Sequence, residues 1–340
     1  MKGAGGMTIR ERQERDEEAR LSPYAALSSR SAGRAHPIST CDLRTCYQRD
    51  RDRIIHCKSF RRLKYKTQVF LTPMGDHYRT RLTHTLEVSQ VARTLARSLR
   101  LNEDLTEAAA LGHDLGHTPF GHIGESTLNR LLPGGFRHNE QSLRVAERLE
   151  NDGAGLNLCR ETLDGILNHS GQNEPKTLEG WCVRRADRIA YINHDIDDAI
   201  RGGILKPFEL PRRCLSVLGE THGERIDTMI RDIVTTSLDQ PFVKMSEEVR
   251  QASEELRAFL FEYVYHDDWR KKEEARCDYI LSALYEHYLA HPEQLPAEYL
   301  EINFTEGAER AVCDFIACMT DRYAIDQFSE IFVPGAFGRR

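Results

Sequence analysis

Residues Leu111 to Glu125, LGHDLGHTPFGHIGE, gather three histidines, an aspartate and a glutamate among glycines and one proline. Neither an apolar core nor a plain helix surface is built this way. Imidazole nitrogens beside carboxylate oxygens are the donor set of a divalent transition ion. His113 follows Ala109 by four residues and Leu105 by eight, so helical spacing turns it inward, with His117 one turn further along the same face. Asp114 stands beside His113, and a carboxylate goes inside a protein only when paired, because desolvation costs several kcal/mol per ion. His84 heads an apolar stripe of Val88, Val91 and Leu95. A single histidine there is more often a satisfied core group, but several inward histidines with a carboxylate favour ligation. RRADRIAYINHDIDD offers a fourth donor: Asp187, Tyr191 and Asp195 fall at i, i+4 and i+8 on one helical face, with flanks too apolar for an exposed acidic stripe. His84, His113, Asp114 and Asp187 together supply two imidazoles and two carboxylates. That set suits one divalent ion with positions left open for water or phosphate oxygens.

The elements that must position these residues read as helices throughout. THTLEVSQVARTLARSLR carries one apolar stripe, and NEDLTEAAALGHDLGH reads as the next helix, running to its stop at Pro119. RHNEQSLRVAERLE, RETLDGILNHS and LEGWCVRRADRIAYINHDIDDAI follow. Residues 216–290 and 305–328 are again amphipathic, and no segment reads convincingly as a strand. The expected class is all-α, one helical domain with a C-terminal helical extension, and residues 1–20 read as a frayed charged arm. A net charge of -6 gives no global attraction to nucleic acid or anionic membrane, so any basic site must be local. There is no signal-like stretch and no run of about 18 apolar residues, so neither secretion nor a membrane span is expected. Nine irregularly spaced cysteines without a CxxC pair read as reduced thiols, which points to the cytoplasm.

The order of these motifs resembles the HD-domain superfamily of metal-dependent phosphohydrolases. Within it, SFRRLKYKTQVF, RTRLTHTLEV, LGHDLGHTPFGHIGE, FRHNEQSLRV, NHSG, ADRIAYINHDIDDAI and DFIACMTDRYA resemble the deoxyguanosine triphosphate triphosphohydrolase-like proteins, from about Leu21 to about Phe328. The resemblance implies an HD-domain helical fold, here an arm and loop over 1–37, a metal-dependent domain over 38–210 and a helical region over 211–340 packed on it. It implies hydrolysis of a deoxynucleoside triphosphate (dGTP or several dNTPs) to the deoxynucleoside and inorganic triphosphate. His84, His113, Asp114 and Asp187 match the family's metal ligands, for one divalent ion among Mn, Mg, Co, Fe, Ni and Zn. His122 and Glu125 match its catalytic pair. At i, i+3 the carboxylate can orient the imidazole, the logic of a base with an orienter. His117 and His138 match histidines lining the phosphate site. Tyr191 matches a residue crowding a 2′-hydroxyl and Asp195 one taking the 3′-hydroxyl, while Gln68, Arg81 and Arg188 match contacts to sugar and phosphates. A homo-oligomer is implied, and the resemblance leaves open a regulatory second nucleotide.

Weaker signals remain. The basic stretch Arg49 to Lys66, with Phe60 and Tyr65, could bind single-stranded nucleic acid, though a solvated helix with phosphate contacts is the preferred reading. His138 and His169 could extend the site to a second ion, but nothing in the sequence forces one. Two other functions compete: an HD nucleotidase or phosphodiesterase acting on monophosphates, cyclic nucleotides or single-stranded DNA, and a nucleic-acid-binding regulator with an unused metal site. Tyr191 and Asp195 disfavour the first, and the intact ligand set disfavours the second.

Overall fold

The computed structural model describes residues 6–68, 79–263 and 268–334, the side chains of 268–270 excepted. All regular structure among them is helical, with only two isolated bridges, Arg34 with Cys159 and Thr67 with Thr80. The N-terminal half holds α1 (Ile9–Arg20), α2 (Cys46–His56), α3 (Lys58–Arg62), α4 (Arg81–Ser98), α5 (Glu103–Gly112), α6 (His122–Leu131), α7 (His138–Arg144), α8 (Arg160–Leu167) and α9 (Leu178–Arg201). After it come α10 (Arg212–Leu218), α11 (His222–Ser237), α12 (Glu247–Tyr263), α13 (Asp268–Ala290), α14 (Ala297–Glu306), α15 (Ala308–Cys318) and α16 (Asp321–Phe332).

Among the described residues, three larger apolar clusters hold most of these helices. Val88, Val91, Ala92 and Leu95 of α4 pack with Ile189, Ile192 and Ile196 of α9, and the cluster continues into Met229, Ile233 and Leu256. Ile54, Leu63, Leu111, Leu115 and Ile166 make a second. Phe120 and Leu128 join Leu281, Leu284, Val312 and Ile316 in a third, so the C-terminal helices share a core with the segment that carries the HD motif. Large aliphatic side chains buried this fully contribute about 1.5–3 kcal/mol each.

Two elements differ from expectation. The chain from Ile9 to Arg20 is a helix rather than a frayed arm; residues 1–5 of that arm, and 335–340 of the C-terminal region, lie outside the described residues. No residue of α1 is buried, so apolar periodicity cannot reveal it. It is held by a capping box between Thr8 and Glu11, by the Arg10 amide on Asp42 O (3.0 Å), and by Glu17 accepting from the amide and hydroxyl of Ser28, 2.7 Å each. The second difference is α5, which stops at Gly112 instead of running to Pro119. Gly116 lies directly on α7: its amide donates to Ser142 Oγ at 2.9 Å, and a Cβ there would stand 2.2 Å from Ser142 N. That close approach needs a turn and a glycine.

The basic stretch from Arg49 to Lys66 is divided: Lys58, Arg61 and Lys64 are exposed, while other cations are engaged by the fold. Arg53 donates to Leu156 O, Arg51 pairs with Glu107 at 3.2 Å, and Lys66 is buried.

Candidate active site

Thr80 begins α4 as its N-cap, Asn102 caps α5 by accepting from the Leu105 amide, and Thr177 caps α9 by accepting from the Gly180 amide. With α4 lying along α9, their shared apolar stripe fixes both helices about their axes. His84 therefore meets Asp187, Nε2 to Oδ1, at 3.1 Å. From the turn after α5, His113 Nε2 comes within 3.6 Å of Asp114 Oδ2 and 3.8 Å of Asp187 Oδ1. Donors bound at about 2.1 Å to one tetrahedral ion stand ~3–4 Å apart, so these spacings fit a shared cation.

The orientation of His113 supports the same fit. Its Nδ1–H donates to Ala110 O at 2.6 Å, which leaves Nε2 unprotonated, and that atom is buried without a hydrogen bond among the described residues. A ligand atom from each of His84, His113 and Asp114 lies within 4.8 Å of the others. Burial alone would raise the Asp114 carboxyl, but the Arg81 guanidinium at 2.8 Å holds it well below the usual range. Asp187 is likewise kept ionised against burial, chiefly by its bond to His84. Ionised carboxylates and a free imidazole nitrogen are what a divalent cation requires.

Around this cluster opens a cavity of about 670 Å³. Of the residues expected at the site, Gln68, Arg81, His84, Asp114, His117, His122, His138, Asp187, Arg188 and Tyr191 line it. His113 stands just behind, against Asp114 and Asp187. Asp195 is buried and is not among the lining residues.

The expected pairing of His122 with Glu125 is loose: Nδ1 and Oε2 are 3.8 Å apart, and the His122 side chain is 62% exposed. Glu125 turns instead to His138, whose amide and Nδ1–H both donate to Oε1 at 2.8 Å. Burial opposes ionisation of both. The ion pair prevails, so the Glu125 carboxyl lies far below its ordinary range and the His138 imidazolium above its own. His138 Nε2 is 3.1 Å from His169 Nε2, and His169 donates its own Nδ1–H to Ile166 O at 2.7 Å. Burial, with His113 and His138, pushes His169 down to about 3, so the shared proton lies on His138. The two histidines thereby satisfy each other through that proton. His117, also neutral through burial and the nearby Arg81, keeps its Nε2 buried without a hydrogen bond among the described residues.

Sequence reasoning missed much of the cationic wall. Arg184, Arg185 and Arg257 line the cavity beside Arg81 and Arg188, with Ser170, Gly171 and Phe261. Arg184 and Arg185 lie over the Trp181 ring (5.5 and 4.9 Å), and Arg184 also donates to Gly171 O at 2.6 Å, tying down the loop after His169. Two adjacent arginines one turn before Arg188 are a readable signal. Arg257 has none, since only the fold brings α12 to this cavity.

The HD domain family matches residues 81–192, and the phosphohydrolase-associated domain family matches 243–330. A deoxyguanosinetriphosphate triphosphohydrolase-like protein of Caldanaerobacter subterraneus is 58% identical over 328 residues, spanning 96% of this chain and 97% of its own. A protein of the same description from Clostridium perfringens strain 13 is 51% identical, covering 96% and 98%. One from Geobacter sulfurreducens is 42% identical, covering 94% and 96%.

Proposed function

Because the chain belongs to the deoxyguanosinetriphosphate triphosphohydrolase-like family of HD-domain phosphohydrolases, we propose that it hydrolyses a deoxynucleoside triphosphate to the deoxynucleoside and inorganic triphosphate. The carrying observation is one cavity with metal donors on one wall, five arginines around it, and Tyr191 one turn from Asp187. A triphosphate brings about four negative charges, which guanidinium groups bind in bidentate fashion. A divalent ion held by His84, His113, Asp114 and Asp187 would supply Lewis-acid polarisation of a phosphoryl oxygen and a more acidic water.

The remaining steps belong to the chain's own residues. Arg81 holds Asp114 and Arg188 donates no hydrogen bond to another described residue, so its guanidinium is available to phosphate. His122, half out of the wall, is placed to move a proton at the reacting water or leaving group. Gln68 lines the cavity with Oε1 buried and without a hydrogen bond among the described residues, which suits it to receive a sugar hydroxyl. The decisive test supplies each dNTP and rNTP with Mg²⁺, Mn²⁺ or Co²⁺ and separates the products. Inorganic triphosphate is expected. Pyrophosphate or orthophosphate as the first product, or hydrolysis restricted to monophosphates or DNA ends, would replace this reading with a nucleotidase or phosphodiesterase.

Discrimination by sugar is expected at Tyr191. Burial pushes its phenol up to about 12, with Arg257 acting the other way, so the ring is neutral and half-buried in the wall. A 2′-hydroxyl pressed on that ring loses its water without gaining a partner, costing about 1–3 kcal/mol and giving roughly 10- to 100-fold selectivity. Tyr191→Ala should weaken dNTP turnover and narrow the dGTP/GTP ratio of kcat/KM. An unchanged ratio removes Tyr191 from sugar reading.

A further inference from the structure

The chain from His117 to Gly121 joins the HD motif to α6 and takes an unfavourable path. Phe120 and Gly121 both have φ of 60°. A side-chain-bearing residue rarely adopts that conformation, and it persists where the surroundings over-determine it. Gly121 has no room for a side chain either, since a Cβ would stand 2.9 Å from Gln68 O. Its continuation, α6, begins at His122 with no side-chain cap. Within the turn one side chain helps, Thr118 Oγ1 donating to Gly121 O at 3.0 Å.

Its outer anchors are distant, one of them about two hundred residues further along. Asp321, the first residue of α16, accepts the Phe120 amide on Oδ1 at 2.9 Å. Its Oδ2 accepts the Thr67 amide at 2.9 Å and the Thr67 hydroxyl. Lys66, 2% exposed, donates its ammonium to His117 O and, at 2.8 Å, to Ala317 O of α15. The segment between these two anchors is tied to the metal cluster in turn. Arg81 donates to Thr67 O and Gln68 O, both at 3.2 Å, and its other arm holds Asp114. A buried ammonium and a nearly buried carboxylate are expensive to retain unless their geometry serves a purpose.

We propose that Asp321 and Lys66 are positioning residues for the reaction: by fixing the turn from His117 to Gly121 they set where His117 and His122 stand, so that the C-terminal helices take part in catalysis without touching the substrate. This rests on the phosphohydrolase reading of the cavity. A displacement of about 1 Å in a reacting group costs on the order of 10²-fold in rate. Asp321→Ala and Lys66→Met should therefore lower kcat by roughly that factor, with KM and bound metal close to wild type. Asp321→Asn keeps one acceptor for the Phe120 amide and should recover part of the loss.

A purely structural role would lower Tm and leave kcat per folded molecule alone, so a second readout is needed. In protein labelled with ¹⁵N-histidine, the ring resonances of His117 and His122, identified by His117→Gln and His122→Gln, should shift in Asp321→Ala and return towards wild type in Asp321→Asn. The resonance of His36, whose amide is held by Asn157, should stay in place. Should Asp321→Ala fold poorly, Asp321→Asn and Lys66→Met carry the same comparison. Unmoved His117 and His122 resonances, or a kcat within about twofold of wild type in folded protein, overturn the proposal. Wild-type protein without triphosphate release would instead overturn the proposed substrate, and the resonance test stands apart from that result.

Discussion

His113→Ala is expected to abolish bound metal and turnover together. The imidazole is held by Ala110 O so that its free nitrogen points between Asp114 and Asp187. Losing one of four donors weakens an ion that must also displace its hydration water. Asp114 needs more care as a probe. Its carboxylate also neutralises Arg81, 3% exposed, and removing one partner of a buried pair costs about 3–5 kcal/mol. Asp114→Ala should therefore lose metal and also unfold at a lower temperature, whereas Asp114→Asn preserves shape and removes the charge. Metal analysis of folded protein, with circular dichroism alongside, separates the effects. Stoichiometric metal and near-normal activity in His113→Ala would show that the ligand set is wrong.

The second large effect is expected along the line His122, Glu125 and His138. His122→Ala should retain metal and nucleotide while losing about 10²-fold or more in kcat, the scale for a positioned proton-transfer group. Its i, i+3 spacing makes Glu125 look like a support for His122, which predicts a mild defect in Glu125→Gln. The structure predicts otherwise. Glu125 accepts both the amide and the ring N–H of His138, and its charge is what keeps His138 protonated beside His169. Glu125→Gln should resemble His138→Gln, and the double variant should be little worse than the weaker single one, because both remove the same ion pair. Independent, multiplicative losses in kcat would return Glu125 to His122.

These two cases show where local reading ends. His113, Asp114 and Asp187 were legible because each sits on a helical stripe whose period is written in neighbouring apolar residues, and a buried carboxylate demands a partner. The stop of α5 at Gly112 was not legible, since it depends on Gly116 meeting α7, a contact made across twenty-six residues. The helix α1 was missed for the opposite reason: caps and charge hold it, and neither leaves an apolar period.

By itself the sequence determined the all-α class, the family and the cluster of donors for a divalent ion, since helical periodicity and ligand type are properties of short segments. Tertiary structure decided the partner of Glu125, the arrival of Arg257 and the hold of Asp321 on Phe120. Each of these depends on how two distant elements are packed and rotated against each other. A carboxylate three residues from one histidine and thirteen from another has no preference until the backbone between them is folded, and here that backbone brings His138 to 2.8 Å and leaves His122 at 3.8 Å.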